Sequence, residues 1–481
     1  MSAYGITNVS TSMCFVDLAT FAELDGFQYG GPNAITWFVA SVQKANWFSF
    51  IPINLRWVSG TPDFGQKNVA ASCNRSGDYI LSLWFNAQIP LIGLVVTDER
   101  IVGAKIRWVA NLMHNLMEKV QITFNELVVQ EFDNYWLDCN FEYRIPGSKR
   151  VGYLNMIGNI GPMTVPVYQN QPLGTNGYFS CPLPFWFAQD SGLALPIAAL
   201  PFNDVKVVFC FRNYTELVTI NPGTGSIPAT VSNIQTFSGT PPAPTGQTPH
   251  LLNPNTYAHY AVVHNDERVK MGDAPRDILI RQVQEAPISA FKDVSTTSSF
   301  DLRFSHSVLG LFWMADNYSW HDIGKGQYGR EASNYTTEPL DFAGLDPIIY
   351  SQLVYENSAR LSMGSDYYSL VAPYYFSRSI PQETGYHAWF YALHPWKHTK
   401  PSGGTNYSKL ANVSLIHQPS TAAVNASGIN GPPVDQNGNP LLFPPNDLQG
   451  VPFPQKWRHV CLALNANIIR VANGSLGFPS L

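Results

Sequence analysis

Charge is what this chain has least of. Its 481 residues include 29 Lys and Arg and 34 Asp and Glu, 13% of the sequence, where an ordinary soluble domain carries about 25%. Long apolar runs are missing too. The longest, Ile89 to Val96, is interrupted by Pro90, far short of the ~20 residues that a membrane-spanning helix needs. Basic clusters are absent: the densest is Lys149-Arg150, which follows Pro146-Gly147 and reads as a solvated turn. With a formal charge of −5, the chain has no electrostatic basis for wrapping nucleic acid. The opening residues, Met-Ser-Ala-Tyr-Gly-Ile-Thr-Asn, carry neither the basic nor the apolar region of a secretory signal. No C-x-x-C pair occurs. The dispersed Cys14, Cys73, Cys139, Cys181, Cys210 and Cys461 suit buried reduced thiols in a cytosolic product, not a disulfide framework or zinc site. Disorder is excluded, since 45% apolar residues can fill a large core.

What the chain does have is aromatics, turn residues and strand periodicity. The 28 Phe, 23 Tyr and 12 Trp match the charged residues in number. Leu81 to Ile89, Val120 to Asn125 and Phe300 to Ser305 alternate with period 2, and Lys206 to Arg212 and Val460 to Leu464 read as more deeply buried strands. Between them lie 36 Gly and 36 Pro, the punctuation of a β-sandwich. Two helices are expected. One opens at Asp346-Pro347 and closes at Gly364, with a suitable N-cap, first-turn proline and terminal glycine; the weaker one covers Glu131 to Asp138. From Leu217 through Asn265 there is no Asp, Glu, Lys or Arg but there are seven prolines, which predicts a linker or long surface loop. Ser420 to Pro454 has a similar look. Two short matches, Pro184–Asp190 with Pro373–Ser379 and His114–Val120 with His306–Phe312, fall at offsets near 190 and suggest a duplicated β domain.

Motifs for chemistry are few. Gly324-Lys-Gly-Gln-Tyr-Gly329 lacks the spacing of a phosphate loop, and neither H-E-x-x-H nor G-x-S-x-G occurs. His394 and His398 sit four apart, but Pro395 and Pro401 argue against the helix that a metal pair would need. His114 reads as a satisfied core or interface histidine. Asp98-Glu99 and Asp266-Glu267 are neighbours whose side chains would diverge on a strand. Sequons at Asn8, Asn74, Asn213, Asn317, Asn334, Asn406, Asn412, Asn425 and Asn473 read as accidents of an Asn/Ser/Thr-rich chain. No catalytic, cofactor-binding or metal residue is expected.

Longer segments carry a resemblance. Leu183 to Val207, Tyr257 to Arg268 with Asp277 to Gln282, Lys400-Pro-Ser-Gly-Gly-Thr-Asn-Tyr-Ser408 and Leu464 to Gly477 resemble the major capsid proteins of large icosahedral double-stranded DNA viruses. Phe15 to Phe21, Tyr29-Gly-Gly, Trp47-Phe-Ser, Arg75 to Tyr79, Asn111 to Asn115 and Val151 to Asn159 look most like the iridovirus branch, with a marseillevirus-type source as the other choice. The resemblance implies an all-β double jelly roll, two eight-stranded antiparallel sandwiches in tandem with a few short helices and long loops. We expect an N-terminal arm (1–26), a first jelly roll (27–215), a linker or surface loop (216–256) and a second jelly roll (257–481). It further implies a structural, non-enzymatic protein of the virion, made and assembled in the host cytoplasm. Three copies would form a pseudo-hexagonal capsomer as a homotrimer. Its partners would be neighbouring capsomers, minor capsid and penton proteins and an inner viral membrane or its proteins, with no direct nucleic acid and no cofactors. The alternative is a carbohydrate-active enzyme or lectin built on a double β-sandwich.

Overall fold

The computed structural model describes residues 11–40, 42–221, 223, 225–273, 275–291, 294–319, 331–339, 343–441 and 453–478. The glycine motif at 324–329, the Asn8 sequon and residues 442–452 of the second Pro/Gly-rich stretch lie outside them; the described part of that stretch opens with a helix, Thr421–Ser427, not a loop. The chain divides into two units, Met1–Trp47 and Phe48–Leu481. The first holds a helix, Thr11–Ala19, and a 3-10 turn, Asp25–Phe27; Phe21, Trp37, Phe38 and Trp47 on it are each more than half exposed.

The second unit begins with β1 (Phe48–Ser59), β2 (Val69–Ser72), β3 (Tyr79–Gln88), β4 (Met117–Phe124), β5 (Leu127–Phe132), β6 (Tyr178–Leu183), β7 (Val205–Phe211) and β8 (Leu252–Val263). These pair as β1-β8-β3-β6 and β2-β7-β4-β5. The halves are joined through β1, whose residues 48–55 pair with β8 and whose end, from Arg56, pairs with β2. Alternation decides which side chains fill the space between the halves. Leu83, Phe85 and Ala87 point in from β3, and Val207, Phe209 and Phe211 from β7, all buried. The Phe85 ring lies 5.6 Å from Phe209 and 5.2 Å from Phe211. Burying each such ring stabilises by about 1.5–3 kcal/mol.

A second set follows: β9 (Arg276–Glu285), β10 (Ser298–Asp301), β11 (Ser307–Asn317), β12 (Ile348–Tyr355), β13 (Ser358–Gly364), β14 (His387–Phe390), β15 (Val413–Pro419) and β16 (Trp457–Ala472). Their sheets run β9-β16-β11-β14 and β10-β15-β12-β13, the same order as in the first set. Two lobes of identical strand order make a double jelly roll, as the resemblance implied. The repeat is real, but its offset is not near 190. It is 228 between the starts of β1 and β9 (276 − 48) and 208 between those of β7 and β15 (413 − 205). The two short sequence matches therefore pair unlike places: His114–Val120 enters β4, whereas His306–Phe312 enters β11, the counterpart of β3.

Several local expectations change. The helix expected from Asp346 is a hairpin of β12 and β13, turned by Glu356 and Asn357, both at positive φ. Its run Ile-Ile-Tyr-Ser-Gln-Leu-Val-Tyr is β-branched and aromatic, which favours strand. Asp346 caps no helix; its carboxylate accepts from the Ile348 amide at 2.9 Å and from Ser365 Oγ at 3.0 Å. The second expected helix exists but runs Asn134–Arg144, with Asp133 as the N-cap. Arg150 is no solvated turn residue: it is buried on the helix Gly147–Ile157. Asp266 and Glu267 open a helix, Asn265–Asp273. The charge-free 217–265 stretch holds the strands Val218–Asn221 and Ile234–Ser238 and the whole of β8, so its lack of charge reflects pairing inside sheets.

Candidate functional site

Helix 134–144 is where the two lobes meet. Every residue from Asn134 to Tyr143 is buried. A helix buried on all sides has no solvent face, and its polar residues, Asn134, Asp138, Asn140 and Glu142, are placed by buried partners and not in an amphipathic stripe. One flank packs on the second lobe: Trp136 lies 5.7 Å and Tyr143 5.2 Å from the Phe312 ring, and Cys139 Sγ is 3.7 Å from Met314 Sδ. Strand β11 is consequently buried on both faces. Leu311, Trp313 and Ala315 enter the second lobe's own core, while Phe312 and Met314 join the core shared with the first lobe.

The polar side of this joint is densely hydrogen-bonded, as burial demands. Asp138 Oδ1 meets His114 Nδ1 at 2.8 Å, and Oδ2 accepts from the Ser333 and Tyr335 hydroxyls of the second lobe. His114 Nε2 in turn meets the Tyr153 hydroxyl at 2.9 Å. Asp316 of β11 accepts from Tyr135 at 2.9 Å and pairs with Arg458. Glu331 takes the Ala110 amide, Thr219 and Arg107. Glu142 pairs with Arg150 and also accepts the Gln382 amide from the second lobe; burial still holds its carboxyl above the usual range. Those between the lobes span sequence separations of 112 to 240 residues, beyond the reach of spacing arguments. His114 is thus a satisfied interface histidine, as its apolar surroundings suggested.

Beside the joint, β5 and β9 flank an open cleft of about 860 Å³, lined by Lys119, Glu131, Asp133, Gln282, Glu285 and Arg303 among others. Asp133 and Glu285 share a hydrogen bond there. Burial raises the Asp133 carboxyl, and burial followed by the Asp133 charge raises Glu285 to about 9. Solvent reaches Glu285 from the open side, so screening moderates the effect. A carboxyl raised on folding stabilises fully below its unfolded pKa, and that contribution is lost as pH climbs to the folded value. Glu285→Gln removes the titration. Its melting temperature is therefore expected to gain on that of the native chain by a few degrees between pH 5 and pH 9; an unchanged difference across that range would refute the shared proton.

The remaining residues singled out by sequence are scattered. His394 and His398 border an apolar cavity of about 340 Å³ with Leu279 and Leu309, and His398 Nε2 stands 3.6 Å from Asp190. Among the described residues, no three His, Cys, Asp or Glu gather in a group that could hold a metal. Of the sequons, Asn317 and Asn334 are buried and hydrogen-bonded within the second lobe, closed to modification in the folded chain. Sequence reasoning missed His417 and His459, which lie between the second lobe's sheets 5.0 Å apart. Burial pushes both below the usual histidine range, His459 to about 3.

Cys73, Cys139, Cys181 and Cys461 are buried free thiols, whereas Cys14 is exposed and Cys210 partly so. Burial pushes Cys73 up to about 12 and the other three upward as well, and a thiol without thiolate is a poor nucleophile. Titration with an aromatic disulfide reagent should therefore count at most two thiols in the native chain and six after denaturation. Four or more fast-reacting native thiols would contradict this burial.

Comparison with known proteins agrees with the geometry. The family model for the major capsid protein N-terminus matches residues 36–260, and that for the large eukaryotic DNA virus major capsid protein matches 267–477. The major capsid protein of Costelytra zealandica iridescent virus is 39% identical over 97% of this chain and 98% of its own length. That of lymphocystis disease virus 1 is 39% identical over 99% of each. Among solved structures, PBCV-1 VP54 shares the fold at TM-score 0.66 and 18% identity, over 93% of this chain and all of its own. The Faustovirus major capsid protein does so at TM-score 0.66 and 12% identity, over 95% and 96%. The chain belongs to the major capsid protein family of large eukaryotic DNA viruses.

Proposed function

We propose that this protein is the structural subunit of an icosahedral virion shell, and that it works as a homotrimer of pseudo-hexagonal outline. The observation carrying this reading is the repeated strand order: one chain supplies two lobes of one topology, locked by helix 134–144, so three chains supply six. Symmetric closure of identical contacts then builds the shell. The domain division that fits best places the boundary between β8 and β9, supported by the pairing of β8 with β1 and β3. On this reading the first jelly roll takes in the 216–256 stretch. The trimers would contact neighbouring capsomers, minor capsid and penton proteins and an inner membrane or its proteins, after assembly in the host cytoplasm, without catalysis, metal or cofactor. Light scattering on the purified chain tests the core of the proposal. It predicts a species of about 160 kDa (3 × 53.4 kDa) that persists on dilution to micromolar concentration. A chain that stays monomeric at every concentration would overturn it.

A further inference from the structure

The sheet β1-β8-β3-β6 of the first lobe, with β1 taken over the residues that pair with β8, is free of formal charge. Residues 48–55, 79–88, 178–183 and 252–263 include no Asp, Glu, Lys or Arg. The other sheet of the same lobe is ordinary, with Glu118, Lys119, Glu131 and Lys206 in its strands and the ion pair Lys119–Glu131 on it. Of the lobe's two large sheets, charge has been withheld from one. The inward side chains of the uncharged sheet fill the core, and its outward ones are neutral: aromatic rings stand among amides and hydroxyls that bond one another, as Asn54 with Asn255 and Asn86 with Ser180. Trp84 stacks on Tyr257 at 5.5 Å and lies 4.6 Å from His259, with Phe50 6.2 Å from that imidazole; Phe50 is 61% exposed.

The internal repeat says what belongs on this face. Its counterpart in the second lobe is the sheet β9-β16-β11-β14, whose outward face is covered by helix 134–144, the connection between β5 and β6. Trp84 is the sixth residue of β3 and Phe312 the sixth of β11, and Phe312 is the ring that Trp136 and Tyr143 cover. The counterpart of helix 134–144 is the connection between β13 and β14. That connection is also helical, over Tyr367–Phe376, and these ten residues carry no charge. Unlike helix 134–144 it is left bare: Leu370, Val371, Tyr374 and Tyr375 are 50%, 43%, 67% and 70% exposed. A single chain thus carries one completed joint and two unmatched halves of a second.

We infer that the helical segment 367–376 of one chain docks on the outward face of β1-β8-β3-β6 in a second copy, repeating between chains the joint that helix 134–144 makes within one. This rests on the trimer reading above and names the surface that forms it. A helical face presenting two tyrosines against a face presenting Trp84 and Phe50 has the composition of an interface centre, rich in aromatics and depleted of charge. Repeated three times, it closes a ring of six lobes in which every lobe–lobe contact is of one kind.

The test uses the full chain with Phe50→Asp and Tyr374→Asp made separately, and Val208→Asp on the charged sheet as control. Phe50 and Tyr374 are exposed, so each variant should keep the native far-ultraviolet spectrum and melt as a folded chain. Light scattering is expected to show a trimer for the native chain and for Val208→Asp. Each of the other two should dissociate at concentrations at least tenfold higher than the native chain. A trimer of unchanged strength in either Phe50→Asp or Tyr374→Asp overturns this docking while leaving the trimer reading intact. A monomeric native chain sinks the trimer reading itself. As an independent measure, hydrogen exchange in the native trimer should protect both 79–88 and 367–376 relative to the dissociated chain. Protection of only one means that something other than its counterpart covers it, and overturns the inference.

Discussion

Asp138→Ala should destabilise the folded chain by on the order of 3–5 kcal/mol, the range for breaking a buried charged pair. The carboxylate holds together groups that are far apart in sequence: His114 and Asn111 from the first lobe, Ser333 and Tyr335 from the second. Its loss leaves the His114, Asn111 and Tyr335 donors short of a buried acceptor and Ser333 with only Asn115 Oδ1 at 3.3 Å, each lost partner costing about 1–3 kcal/mol in isolation and less than their sum together. Asp138→Asn keeps one acceptor oxygen and should fall between the two. The measurement is the denaturant midpoint at constant slope; a loss below about 1 kcal/mol would show that the network does not tie the lobes.

The apolar half of the joint should matter as much. Phe312→Ala empties a fully buried site among Trp136, Tyr143, Phe390 and Trp396, and such truncations cost about 3–5 kcal/mol. Phe50→Ala, at an exposed position, should change the stability of the dissociated chain by no more than about 0.5 kcal/mol. Because Asp138 and Phe312 act through the same helix, the double substitution should cost less than the two single losses combined. Full additivity would mean that the helix is not one cooperative joint.

Much of the fold was legible because a jelly roll is written in period 2. Leu81 to Ile89 and Lys206 to Arg212 announced β3 and β7 through alternation alone. Where the sequence misled, a competing physical term was in force. Asp346, Pro347 and Gly364 imitate helix punctuation, but the β-branched run between them and the left-handed Glu356-Asn357 turn commit the segment to a hairpin. Helix 134–144 is buried all round, so periodicity could not delimit it. The charge-free 217–265 stretch looked like a loop because β8 sits between two partner strands and needs no charge. Arg150 looked solvated because nothing local reveals Glu142 and the Phe141 ring, 4.8 Å from its guanidinium. The joint itself is assembled from positions about 20 to more than 300 residues apart, and no spacing rule reaches that far. Even the true repeat was masked: insertions of different length between equivalent strands smear its offset from 205 (457 − 252) to 231 (348 − 117).

The scarcity of charge now has a location. It is marked in the sheet β1-β8-β3-β6 and in the helical segment 367–376, the two surfaces inferred to meet between copies, while the other large sheet of the first lobe carries ordinary charge. On the docking inferred above, each chain is half-finished, two matched lobes with one joint made and one left open. Electron microscopy of the purified full-length protein tests it most directly. Threefold particles of six similar lobes, ordering into hexagonal arrays as concentration rises, are expected; isolated two-lobed particles at every concentration would overturn the half-finished chain.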